Sequence, residues 1–430
     1  MSYVEFFIRM IRTCSLILLV AAGTLCAIPR VTAAQEFITL DDFNDQLPQL
    51  GHFDQSIVGF LSAVERFSFA SILGGTTATG VPEFRTFTDE ARSALDAVPV
   101  PSGSTSVAYT FDPKLETFVR WERPMSPAIS QNARTNGRRV LAFGVSYSYI
   151  DYQKFDDFDH DNVIVSAGDF GTAGVIQDIL YFNFKLRQQV YGFSAQFGVL
   201  DNLDLGIFIP VIDLDFRGKA IDQPFVLIQP ATGSFLVPLF ASPRAIPSVS
   251  DIKQSDFFGL PYPGIRFSKN ETGIGDLILR AKYYIGSTGP LDFGTSLNSS
   301  LPTGDQDNLF GVGSVRFDPR ILISTATPAF AMHINGGYHA DVDNGDRDRV
   351  DYGAGGEVQV TRWMSLLVDQ VGRVGVRGDP QVRKFEIIPG VKINPYGGMV
   401  VGFNAIVPLN REGLTTDWTP NGVVDASFVF

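Results

Sequence analysis

Cysteine is nearly absent from this 430-residue sequence: there are two, Cys14 and Cys26. Both lie in a stretch built like a secretory signal, with Arg9 and Arg12, then the apolar CSLILLVAAGTLCA, then small residues in VTAAQE. Cleavage after Ala33 or Ala34 leaves an exported chain without disulfides or thiol chemistry. A lipid anchor on Cys26 is not expected, because Gly-Thr-Leu precedes it where a lipobox ends in a small residue. Positive charge is also scarce: 34 Lys and Arg face 46 Asp and Glu, a formal charge of -12. Removing residues 1–34 takes this to about -14, which argues against nucleic acid as a partner. Long hydrophobic runs are missing too. After the signal no segment approaches about 18 uninterrupted apolar residues, so no helix is expected to span a membrane.

Yet 45% of the residues are hydrophobic and only 19% charged. The apolar residues must therefore be dispersed at another period, and 42 Gly with 36 Phe point to glycine-containing aromatic strands. Period two is plain in the closing VVDASFVF, where Val424, Ala426, Phe428 and Phe430 alternate with Asp425 and Ser427. It recurs in 350–361, where Tyr352, Ala354, Val358 and Val360 alternate with Gly353, Gly355, Glu357 and Gln359, and in 383–394.

The pattern predicts twelve strands: 139–153, 178–200, 203–217, 272–285, 291–302, 312–325, 329–340, 350–361, 363–374, 383–394, 397–408 and 418–430. The connections alternate without exception. Asp201-Asn202, 286–290, Thr327-Pro328, Thr361-Arg362 and Pro395-Tyr396 are short. Residues 154–177, 218–271, 303–311, 341–349, 375–382 and 409–417 form longer, more polar links. Tight turns at one end, long loops at the other and an even strand number describe an antiparallel transmembrane β-barrel of an outer membrane. Lipid offers no hydrogen bonds, so such a sheet must close and leave no edge. A soluble sandwich alternates as well, but without this loop asymmetry.

The expected organisation is a signal peptide at 1–34, a small mixed periplasmic or lumen-plug region at 35–138, and a barrel at 139–430. In the middle region, Ile57, Phe60, Leu61, Val64 and Phe67 have helical spacing within 54–73, and TDEARSALD at 88–96 could be a second helix capped by Thr88. SVAYTFDPKLETFVRW reads as a hairpin around Asp112-Pro113-Lys114.

Phrases along the chain resemble one family. VAYTFDPKLETFVR, GVSYSYIDYQKFD, FGVLDNLDLGIFIPVI, GIGDLILRAKYYI, LPTGD and VPLNREGLTTDWTP occur in the order found in Gram-negative outer-membrane barrels grouped under a MetA pathway of phenol degradation. The resemblance covers about residues 107–430. It implies an outer-membrane barrel with a transport role, and it extends more distantly to barrels that pass aromatics and fatty acids.

Strand parity puts Asp276, Arg280, Lys282, Arg316, Asp318, Arg320, Glu357, Lys384, Glu386, Lys392 and Asp425 on the inner face. They are candidate pore-lining residues, read either as a selectivity lining or as an ion-pair network stiffening the wall. A twelve-stranded lumen is narrow, between filled eight-stranded barrels and open porins. Phe428 and Phe430 are the expected signal to the barrel-assembly machinery, with outer-membrane lipid and lipopolysaccharide as surroundings. FDDFDHDN (155–162) and DVDNGDRDRVD (341–351) invite a calcium reading. The second fails the EF-hand pattern at Asp346 and Tyr352, so no metal site and no cofactor are expected. His333 and His339 share a parity near Ser296 or Ser300, but an inner position is wrong for a lipase-type barrel. Gly311-x-Gly313 precedes a strand and implies no phosphate cradle. QPFVLIQPATGSFLVPLF (223–240) is apolar for an exposed segment and suggests an inward-folded loop or a capture site for greasy ligands. The expected activity is therefore passive passage of small solutes, hydrophobic or aromatic ones among them. A sealed structural or adhesion barrel and a barrel hydrolase are the alternatives.

Overall fold

The structure, a computed structural model, describes residues 37–46, 52–66, 109–112, 117–120, 129–155, 158–159, 163–169, 176–228, 235–238, 264–327, 329–377, 383–396 and 399–429. In chain order, Phe37–Ile38 (β1) precedes helices Leu40–Gln46 (α1) and Ile57–Arg66 (α2), then a hairpin of Tyr109–Asp112 (β2) and Thr117–Arg120 (β3). Next are Val140–Tyr152 (β4), Lys154–Phe155 (β5), Phe158–Asp159 (β6), Val163–Asp169 (β7), Ile176–Leu200 (β8), Leu203–Ile228 (β9), Phe235–Pro238 (β10) and Gly264–Ile274 (β11). Leu277–Thr288 (β12), Leu291–Leu301 (β13), Arg316–Ala326 (β14), Phe330–Asp341 (β15), Arg349–Thr361 (β16), Met364–Gly375 (β17), Arg383–Tyr396 (β18), Met399–Pro408 (β19), Leu414–Thr415 (β20) and Thr419–Val429 (β21) complete the chain.

Twelve of these strands form one closed antiparallel ring. It runs β4, β8, β9, β12 through β19 in order, then β21, which pairs back onto β4 with Val424 opposite Val145 and Phe428 opposite Leu141. The twelve segments expected from periodicity are the twelve strands of the ring. Closure satisfies every wall strand from both sides, as hydrocarbon requires. Large apolar side chains stand on the outer face: Phe143 and Val145 on β4, Phe193 and Phe197 on β8, Ile334 on β15, Leu366 and Val368 on β17, Phe403 on β19. Phe428 belongs to this face and packs against Phe143 with ring centroids 6.5 Å apart. Phe430, the signal peptide and the expected helix at 88–96 lie outside the described residues.

The expected loop 218–271 requires correction. β9 continues to Ile228, β10 pairs with it as a hairpin, and β11 lies along the same edge, the one opposite β8. The described parts of the apolar segment, 223–228 and 235–238, are thus strand arms rather than a free loop. The expected segments 178–200 and 203–217 run past an exchange in the character of the two faces, and only 218–228, β10 and most of β11 fall within the expected loop. On β9 the outward residues Leu203, Leu205, Ile207, Ile209 and Val211 give way to Asp213, Asp215, Arg217 and Lys219, while inward Phe208, Ile212, Leu214 and Phe216 are buried. On β8 the same exchange occurs between Tyr191 and Gln189, with Phe182, Phe184 and Leu186 buried inside. Below the exchange the wall is apolar outside, as lipid demands; above it, a rim that is polar outside and apolar inside stands clear of the hydrocarbon.

A bulge separates β11 from β12. Ile274 pairs with Val211 and Ile278 with Phe208, so three residues oppose two and the inward parity changes from odd to even. The amide of Gly275 donates to the Pro210 carbonyl at 2.8 Å within this bulge.

The N-terminal elements fill the rim. Phe60 of α2 is fully buried, stacked on Phe267 at 5.3 Å and edge-on to Phe216 at 5.9 Å. Gly218 leaves room for it, since a Cβ there would stand 2.4 Å from the Phe60 ring. β1 adds to β11 in parallel, Phe37 opposite Gly264. The Thr39 hydroxyl accepts from the Asp42 amide and donates to the Asp42 carboxylate, a reciprocal cap for α1. That hydrogen bond holds the Asp42 carboxyl below its ordinary value. The helix expected within 54–73 is thus α2, and the expected hairpin is β2–β3.

Candidate functional site: the barrel interior

Below the apolar rim the inner wall is charged. Asp276 (7% exposed) accepts from the amides of Gly304 and Val312, both at 3.0 Å, and from Arg316 at 2.5 Å. Arg320 joins Asp318 at 2.6 Å to Asp351 at 3.3 Å, and Arg349 reaches Asp351 at 3.1 Å. Arg280 donates to Asn298 at 3.1 Å. Lys282 lies directly across the sheet from Asp204, and both are buried. Further round, Arg373 approaches Glu386 at 3.8 Å and Lys384 donates to the Leu414 carbonyl at 3.4 Å. Glu357 and Lys392 are buried, and Asp425 stands half-buried opposite Gly144, with Lys392 as a nearby charge. A cavity of about 120 Å³ remains, lined by Arg280, Arg316, Asp318, Arg320, Arg349 and Asp351 among others.

A second set of residues, which periodicity does not single out, holds an extended strap at 129–138 inside the ring. The amides of Ile129 and Ser130 donate to Asp369 at 2.9 and 3.2 Å. Asn335 brackets Gln131, its Oδ1 accepting from the amide and its Nδ2 donating to the carbonyl. The Ala133 amide donates to Ser324 at 2.8 Å and the Asn136 amide to Asp204 at 2.8 Å. Arg134 forms a two-point ion pair with Asp292, at 2.5 and 2.8 Å, beneath the Tyr284 ring at 5.7 Å. At the turn end, Gly137 (φ 94°) and Arg139 (φ 63°) swing the strap into β4, where the Arg139 amide meets the Gly198 carbonyl at 2.8 Å. A strand would satisfy this backbone with another backbone; here wall side chains do so one by one. The wall residues could be picked out as lone polar groups at inner parity, but nothing in the sequence of 129–138 announces its partner.

The expected His–Ser neighbours are corrected. His333 Nδ1 lies 3.0 Å from Ser324 Oγ, whereas Ser296 and Ser300 sit opposite Arg320 and Arg316. Ser324 Oγ also accepts from the Ala133 amide, so this hydroxyl is shared between His333 and the strap. In the acidic loop 341–351, Asp341 Oδ1 accepts from the amides of Asp343 and Asn344, and Asp348 accepts from Tyr338. Residues 156–157 and 160–162 of the other acidic loop lie outside the described residues.

A search among curated proteins finds no match. Among solved structures, the chain is similar to the COG4313 outer membrane channel from Pseudomonas putida F1 at 15% identity. That alignment covers 69% of this chain and 98% of the other, with a TM-score of 0.42. The Ralstonia pickettii toluene transporter TbuX aligns at 11% identity over 70% and 92% of the two chains, with a TM-score of 0.30. These scores are too low for the likenesses to carry an argument of their own. A family model described as "Putative MetA-pathway of phenol degradation" matches residues 240–385. That is the family whose phrases the sequence resembles, and its match spans the stretch from the rim through β11 to the start of β18.

Proposed function

We propose that the protein is an outer-membrane channel for passive entry of small solutes, with hydrophobic and aromatic compounds as its principal cargo. The observation that carries this is the exchange of faces on β8 and β9. It gives the rim, above the bilayer, an aromatic inner face of Phe182, Phe184, Phe216 and Phe267, covered by Phe60 of α2 and opened to solutes where α2 withdraws. A greasy interior raised on a polar collar suits capture of apolar molecules from water. The family description naming phenol degradation agrees with it. Asp276, Arg280, Lys282, Arg316, Asp318, Arg320, Glu357, Lys384, Glu386, Lys392 and Asp425 form the polar throat below, and 35–138 serves as its plug. No enzymatic step is assigned to any of them. The last strand, through Phe428 and Phe430, addresses the assembly machinery.

A sealed structural barrel is the second reading, favoured by the strap and the ion pairs that occupy the throat. Planar-bilayer conductance of the mature protein beside a chain starting near residue 123 with the strap contacts removed (Arg134→Ala, Asp369→Leu) separates them. The channel reading expects low conductance from the full chain and clear opening in the variant. If both stay closed and neither admits toluene or phenol into vesicles, the sealed barrel stands.

A further inference from the structure

The outer surface of the rim carries charges that folding alone disfavours. Cross-strand register sets Lys185 of β8 directly opposite Arg217 of β9, and in the next row Lys219 of β9 directly opposite Arg266 of β11. All four are on the outward face, with Arg217, Lys219 and Arg266 exposed. Like charges directly opposite destabilise a sheet. The chain is acidic overall, so a block of four cations is a local departure from its composition.

Neighbouring groups offset only part of this charge. Asp215 meets Arg217 at 3.1 Å, Asp151 is engaged by Arg187 at 3.3 Å, Asp42 faces Arg266, and the Phe37 ring lies 5.7 Å from Lys219. Lys185 has no ion pair among the described residues. In height the block begins six positions beyond Val211, the last residue of the apolar outer row on β9. That is roughly 20 Å of tilted strand, above the acyl chains and level with headgroups. At the long-loop end of an outer-membrane barrel, those headgroups are the phosphorylated, acidic sugars of lipopolysaccharide.

We infer that Lys185, Arg217, Lys219 and Arg266 form a binding site for the phosphate-bearing sugar region of lipopolysaccharide, an anion bridging each like-charged pair. Arginine offers a planar fork to a phosphate and lysine a point charge beside it, so each pair supplies both modes. The inference rests on the outer-membrane placement proposed above but not on conduction. Binding there would fix the height and rotation of the rim in the outer leaflet.

The test uses the full mature chain refolded in a neutral detergent, with thermal unfolding followed as deep-rough lipopolysaccharide is added. The wild type is expected to rise in midpoint, and Lys185→Gln/Arg217→Gln to need at least tenfold more lipopolysaccharide for the same rise. Phosphatidylglycerol and inorganic phosphate at matched phosphorus are expected to leave both proteins unmoved. Equal responses of the two proteins to lipopolysaccharide would overturn the site. So would an equal rise with phosphatidylglycerol, meaning a generic anionic surface, or with phosphate alone. A second variant needs no ligand: Lys185→Glu converts a like pair into an opposite one and should hold or raise the ligand-free midpoint. A fall would remove the like-charge argument. Bilayer conductance without lipopolysaccharide should be the same for Lys185→Gln/Arg217→Gln and wild type, which keeps failure here separate from failure of the channel reading.

Discussion

At the scale of single residues, the strap depends on a few side chains, and its hold can be read with a cysteine probe because no cysteine follows Cys26. Arg134→Ala removes the paired cation from Asp292, a carboxylate 4% exposed that also accepts from the Tyr284 hydroxyl at 3.2 Å. Breaking one side of a buried pair typically costs about 3 kcal/mol or more, so the strap should loosen. Thiol labelling at Ser130→Cys should become markedly faster in the Arg134→Ala background; an unchanged rate would mean that the backbone contacts suffice. Gly294 gives an independent route, since a Cβ there would stand 2.5 Å from the Ala133 carbonyl oxygen. Gly294→Ala should therefore expose the same probe, at a cost of about 1–3 kcal/mol. Gly336→Ala, with open space around the new methyl, should change neither labelling nor stability. These strap-holding residues were the least legible part of the site. Asp369, Asn335 and Ser324 look like any inner-facing polar residue, and only the folded chain shows that a second segment lies against them. The charges chosen by parity were easier. Asp276, Arg280, Lys282, Arg316 and Asp318 are all buried, since period two alone decides which side of a strand a residue occupies.

At the scale of elements, β9 concentrates the lesson. Its lower half was legible because Leu203 to Val211 alternate with polar or small partners until Phe208. The upper part was legible only to residue 217; beyond it the same alternation continues with its meaning reversed and reads as loop. Strand patterns reveal a period, not which solvent each face meets. The bulge at 275–277 hid β11 for a related reason: one extra residue shifts the parity, so a single pattern cannot span it. The exchange makes a sharp expectation for two substitutions on one strand. Ile207→Arg, in the middle of the outer apolar row, should lower stability by about 2–4 kcal/mol in lipid vesicles. Arg217→Ala, on the same face ten residues later, should change it by less than about 0.5 kcal/mol. Urea unfolding in vesicles compares them, and similar losses would mean that the bilayer reaches the rim.

At the scale of the molecule, the ring and the N-terminal chain are interlocked. α1 and α2 sit in the rim at one end, the strap enters β4 at the other, and residues 129–138 lie within the ring between them. A sheet that had already zipped β21 to β4 would have to draw two helices through a throat largely occupied by ion pairs. The order of events is thereby constrained: the N-terminal region must be in place while the seam is still open, and the seam closes last. A chain starting near residue 123 should consequently refold into vesicles faster than the mature protein, measured by the gel-mobility shift of the folded barrel. Equal rates would show that the seam does not wait. A barrel whose last strand closes upon its own opening segment is assembled like a clasp fastened around a cord, and the cord cannot be added afterwards.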